Sequence, residues 1–101
     1  MFVTSQGHAY ARFRRALQTG NLQIVEAAAA ELPAIRLDDA LAILALLAEQ
    51  GDDRFGRAAA RWVGRLLIET PADLRDARYA LALVERLPGC RDALHALARR
   101  R

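Results

Sequence analysis

Between residues 40 and 48 the chain reads "ALAILALLA", set inside "RLDDALAILALLAEQG" (36–51). No side chain in the inner stretch carries a polar atom. The run is bounded by Asp38-Asp39 on one side and Gly51 on the other. It falls well short of the roughly 20 apolar residues needed to cross a bilayer. A helix that is apolar all round is buried all round. The spacing therefore predicts a central buried helix over 38–50, with other helices packed about it.

The rest of the chain is suited to supply them. Of 101 residues 22 are Ala and 16 are Leu, both strong helix formers, against six Gly and three Pro. Hydrophobic residues make up 53%, enough for one modest core. The expectation is a single all-α domain over 1–101, a compact bundle of about six short helices. The first spans about 8–18, entered at Thr4 or Ser5 and stopped by Gly20. Asn21 caps a second that ends at Leu32, before Pro33. Asp38 caps the third, and Asp52 or Asp53 opens a fourth that reaches Glu69. Thr70 and Pro71 lead into the fifth, closed by Pro88-Gly89. A short sixth covers about 91–99. Connections this short fold neighbouring helices back on each other.

Apolar faces indicate the packing. Tyr10, Phe13 and Leu17 share one side of the first helix. Phe55, Ala59, Trp62, Val63 and Leu66 share one side of the fourth. The first, fourth and fifth helices are expected around the third, with Trp62 near Ile43 or Leu47. Two self-similarities suggest stacked helical hairpins. "RFRRA" (12–16) returns as "RFGRA" (54–58), and 37–50 matches 74–87 in six of fourteen positions. Their offsets, 42 and 37, differ, and five of the six matches are Ala or Leu. The architecture is thus TPR- or HEAT-like without the consensus of either family.

The sharpest functional signal is charge. Arg54, Arg57, Arg61 and Arg65 line one side of the fourth helix, and Arg12 and Arg15 face away from the core side of the first. Like charges at i, i+4 oppose helix formation unless an anion approaches. The expected local partners are Asp53 for Arg57 and Glu69 for Arg65. All 15 cations are Arg and none is Lys, a bias that GC-rich coding explains. Net charge is −6 over residues 21–53 and +3 over 54–69, within a total of only +3. An acidic block beside basic ones favours protein contacts over the extended basic surface that duplex binding needs. "RALQTGNLQIVEAA" (15–28) resembles a helix-turn-helix turn in Ala16 and Gly20 alone. Thr19, Asn21 and Glu26 fall where that pattern wants apolar packing, and the would-be recognition helix carries two Glu and no cation.

Nothing points to catalysis. Cys90 and His95 are five residues apart, and no four-ligand metal set is available. The histidines read as exposed and Cys90 as partly buried. The paired Asp residues read as helix openers. The one serine has no triad spacing, and no glycine-rich phosphate loop occurs. The terminal "ARRR" complements the last helix's negative end. A single cysteine and the lack of a secretory leader pattern fit a soluble cytoplasmic protein. The reading is a non-enzymatic interaction or self-association module, with no cofactor, metal, membrane or small-molecule substrate implied. Contact surfaces are the arginines above, or the apolar arc Leu22, Ile24, Val25, Ala28, Ala29 and Leu32. A nucleic-acid-associated regulator is the runner-up.

Reversing Arg61 to Glu separates the possibilities. Neutralisation within the chain predicts a loss of about 0–1 kcal/mol and an unchanged oligomeric state. A stripe facing a second copy predicts loss of the dimer in sedimentation. Nucleic acid predicts a weakened, less salt-sensitive gel shift.

Overall fold

The computed structural model describes residues 5–100. Thr4, one of the two expected entries to the first helix, and Arg101 lie outside that range. Six helices follow in order: α1 Ser5–Thr19, α2 Leu22–Ala29, α3 Leu37–Glu49, α4 Phe55–Glu69, α5 Leu74–Val84 and α6 Arg91–Ala98. No strand occurs among the described residues. The fold is all-α. The chain divides into two compact units, Met1–Ile35 and Arg36–Arg101.

In the first unit α1 packs on α2. The turn between them needs only Gly20 and Asn21. Gly20 adopts φ +66°, a left-handed geometry that costs glycine no side-chain clash. The Thr19 hydroxyl donates to the Ala16 carbonyl at 2.6 Å and accepts the Asn21 N–H at 3.1 Å. Asn21 caps α2 by accepting the Ile24 N–H. The helix ends at Ala29, three residues before the expected Leu32. Glu31 and Leu32 instead donate to carbonyls three residues back. Pro33 forbids helical geometry at Leu32, and the chain tightens into turns before reaching it. Phe13 and Val25 are fully buried, whereas Tyr10, placed on the core side by its spacing, is exposed.

The second unit is a ring of four helices. Helix α3 packs on α4, α4 on α5, α5 on α6, and α6 returns to α3. Within this unit the principal neighbours of α3 are therefore α4 and α6, rather than α4 and α5. No residue from Leu37 to Ala48 is exposed, as an all-round apolar helix requires. The helix starts two residues earlier than a cap at Asp38 would place it. Arg36 holds the N-cap position without a side-chain bond, and Asp38 and Asp39 occupy the first turn. There they act on the positive end of the helix as charges rather than as a cap. At the other end Asp52 donates its N–H to Leu47 and Gly51 to Ala48, with Gly51 at φ +63°. This is the paired closure that a left-handed glycine permits.

Helix α4 starts at Phe55. Asp52 accepts the Arg54 N–H at 2.8 Å, so the opening acid works two residues ahead of the cap position, which Arg54 holds. After α4 the Thr70 hydroxyl donates to Leu66 and accepts from the Ala72 N–H. The entry to α5 is Asp73, not Thr70-Pro71. Asp73 accepts the Asp76 N–H, and Asp76 accepts the Asp73 N–H in return. That reciprocal box satisfies two N–H groups that helix geometry leaves unpaired. Asp76 also meets Arg100 at 2.9 Å. These two donors, the Asp73 N–H first, hold its carboxyl below the usual carboxylate range. Cys90 precedes α6 at φ +60° and is exposed, not partly buried.

Trp62 ties α4 to α3. It is 2% exposed, and its indole N–H donates to the Leu37 carbonyl at 2.8 Å. A buried indole needs such a partner. Its polar tip thus reaches the first residue of α3, not the middle positions Ile43 and Leu47. Trp62→Ala is expected to cost about 3–5 kcal/mol, through a cavity as well as the lost bond. Trp62→Phe, which removes chiefly the donor, is expected to cost about 1–2 kcal/mol. Urea denaturation of the two variants checks both the size and the order.

Candidate functional site

The arginine line on α4 is split by its surroundings. Arg54, at its start, folds onto Asp52, with Nε to Oδ1 at 2.9 Å and a terminal nitrogen to Oδ2 at 3.0 Å. A two-point contact of this kind suits the guanidinium plane. Arg65, at its end, donates to Glu69 at 2.6 and 3.2 Å, the i, i+4 pair that the spacing predicts. The expected Asp53–Arg57 pair does not form. Arg57 and Arg61 are exposed and make no ion pair or hydrogen bond among the described residues. Of the acidic block 21–53, Asp52 pairs with Arg54 at the start of this line.

In the first unit the two kinds of candidate surface come together. A groove of about 410 Å³ runs between α1 and α2. Ala16, Ala27, Ala28 and Ile24 line it, with Arg12, Arg15, Thr19 and Glu31 at its edges. Arg12 crosses to Glu31, pairing one of the predicted contact residues within the chain. Arg15 is exposed and makes no described ion pair. Glu31 continues the i+3 and i+4 spacing of Ala28 and Ala27 and so falls on the groove side. Of the predicted apolar arc on α2, Leu22 and Val25 are buried while Ile24 remains 48% exposed.

A second, polar cleft of about 300 Å³ lies in the second unit, at the start of α3 and the ends of α4 and α6. Arg36, Asp38, Glu69, Thr70 and Arg99 are among its lining residues. His95, elsewhere on α6, has its imidazole held below the ordinary value by burial, with Arg91 and Arg99 acting in the same direction. Its Nδ1 is buried with no described hydrogen-bond partner. No group of three or more His, Cys, Asp or Glu side chains that could hold a metal ion gathers among the described residues. No helix among those residues is long and apolar enough to span a membrane.

Several exposed apolar side chains lie outside the surfaces expected from the sequence. Ile68, Leu74, Tyr79 and Leu81 all stand out from α4 and α5. The signal for Ile68 was available, since it falls at the same helical azimuth as Arg57 and Arg61. Leu74 opens α5, and its exposure follows only from the capping box that sets that start. Comparison of the chain with protein-family models, with curated proteins and with solved structures finds no match.

The Asp52–Arg54 contact generates a pH signature. Arg54, by side-chain and backbone donors, lowers the Asp52 carboxyl from 3.8 to about 2. A carboxyl lowered in the folded state contributes stability that is complete above its unfolded value. That contribution is lost as pH falls through the folded one. Wild type is therefore expected to lose stability between about pH 4 and pH 2 more steeply than Asp52→Asn. Chemical denaturation across that range, compared at equal ionic strength, measures the difference.

Proposed function

We propose that the chain is a non-catalytic helical module that binds another protein through the groove between α1 and α2. The observation that supports this is the composition of the groove. An apolar floor of alanines and the half-exposed Ile24 adjoin Arg15, a cation without an acid of its own. Interfaces of this kind combine a desolvated apolar centre with a charged rim that sets orientation. The side chains with displaced titration, Asp52, Asp76 and His95, are not among the groove residues. Groups tuned for acid–base work would be expected where substrate binds. A nucleic-acid-associated role is the second reading, favoured by the exposed Arg57 and Arg61, and a salt-dependent gel shift with random duplex tests it.

A photo-crosslinking residue at position 24 tests the groove in host cells. Discrete protein adducts are expected from position 24 and none from exposed position 49. Arg15→Glu in the same chain should weaken them. An adduct of twice the chain's mass would identify a second copy as the partner. Absence of adducts at position 24 would refute the reading. Ile24→Asp should leave stability within about 0.5 kcal/mol, because the side chain is already half in water.

A further inference from the structure

The outer face of α4 has a chemistry that its own chain does not use. Arg57 and Arg61 stand one turn apart with like charge, and no described acid approaches either. Two cations at i, i+4 oppose the helix that carries them. Ile68 continues the same line and is 84% exposed, the most exposed large apolar side chain described. Beside them Gly64, on the same face, places in mid-helix a residue that disfavours it. A Cβ at Gly64 would meet nothing within 4 Å, so packing inside this chain does not require its small size. Charge, exposed apolar surface and a shallow approach thus coincide on one helix face.

We propose that this face docks an amphipathic helix of a partner protein, one with acidic side chains at i, i+4 beside an apolar stripe. The acids would answer Arg57 and Arg61, and the stripe would cover Ile68 and lie over Gly64. Charge decides the occupant. Antiparallel pairing of two copies through this face would set arginine against arginine. Phosphate would use the two cations and leave Ile68 in water. An acidic amphipathic helix satisfies both features at once, in the manner of helix-in-groove recognition. This goes beyond the α1–α2 groove to a second set of residues, so crosslinking at position 24 succeeds or fails independently of it.

The test uses the full chain, isotopically labelled, and a synthetic helical peptide of about 20 residues, long enough to hold helix in solution. The peptide carries Glu at i, i+4 beside a Leu/Ala stripe. A counterpart has Lys at the Glu positions, and a short random DNA duplex is titrated in parallel. Amide shifts are expected along α4 between Gly56 and Ile68 with the Glu peptide only. Arg57→Glu with Arg61→Glu should weaken that peptide by about tenfold or more and transfer preference to the Lys peptide. Gly64→Leu should weaken it through steric exclusion. Melting temperatures near wild type would show that both variants remain folded. Equal binding of the two peptides by wild type, or shifts located away from α4, would overturn the proposal. Binding of duplex without the Glu peptide would overturn it equally and assign the face to phosphates.

Discussion

Helix α3 has no side to give to water, and the second unit is organised by that constraint. From Leu37 to Ala48 none of its residues is exposed, so neighbours must cover it along its length. Helices α4 and α6 do so from positions far apart in sequence, and α5 bridges them to close the ring. Trp62 then makes the α3–α4 contact specific rather than merely apolar. Burial of the indole rewards packing at many registers. Its N–H is satisfied in this one, at the Leu37 carbonyl. A general apolar demand is thereby converted into a particular alignment.

The polar groups around this core are largely consumed in ending and starting helices. Asp52 serves three donors of Arg54, Asp73 and Asp76 serve each other, and Thr19 and Thr70 each link a carbonyl behind to an N–H ahead. Such contacts pair backbone groups that helix geometry leaves open. They also remove candidates from any functional list, since an acid already holding a backbone N–H and a guanidinium has little capacity left for a ligand. Among the described residues Arg15, Arg57, Arg61, Arg75, Arg78, Arg86, Arg91 and Arg99 hold no ion pair; of these, Arg15 adjoins the α1–α2 groove and Arg57 and Arg61 stand beside Ile68.

Much of this was open to a reader of the sequence. The six helices, the buried third one and the Arg65–Glu69 pair all follow from period and punctuation. The helix starts were harder, because several acids stand near each one. Asp38, Asp39, Asp52, Asp53, Asp73 and Asp76 are all chemically able to cap, and the choice turns on backbone geometry that no residue type specifies. The same ambiguity misplaced the partner of the first arginines on α4. Asp53 has the helical spacing to Arg57, yet Asp52 lies outside the helix and takes Arg54 through a local turn instead.

Local chemistry alone therefore determined the helical class, the stops at Gly20 and Gly51, and the burial of α3, because propensity, left-handed glycine geometry and all-round apolarity act within a few residues. Tertiary structure decided which helix covers α3, where the Trp62 N–H is satisfied, and which arginines stay unpaired. Those outcomes depend on groups brought together from distant positions. Arg12 illustrates the division. Its exposure is legible from its own helix, but its pairing with Glu31 joins residues 19 apart that only the packing of α1 on α2 brings together. An ion pair forms between neighbours in space, and sequence spacing predicts such neighbours only within one helix.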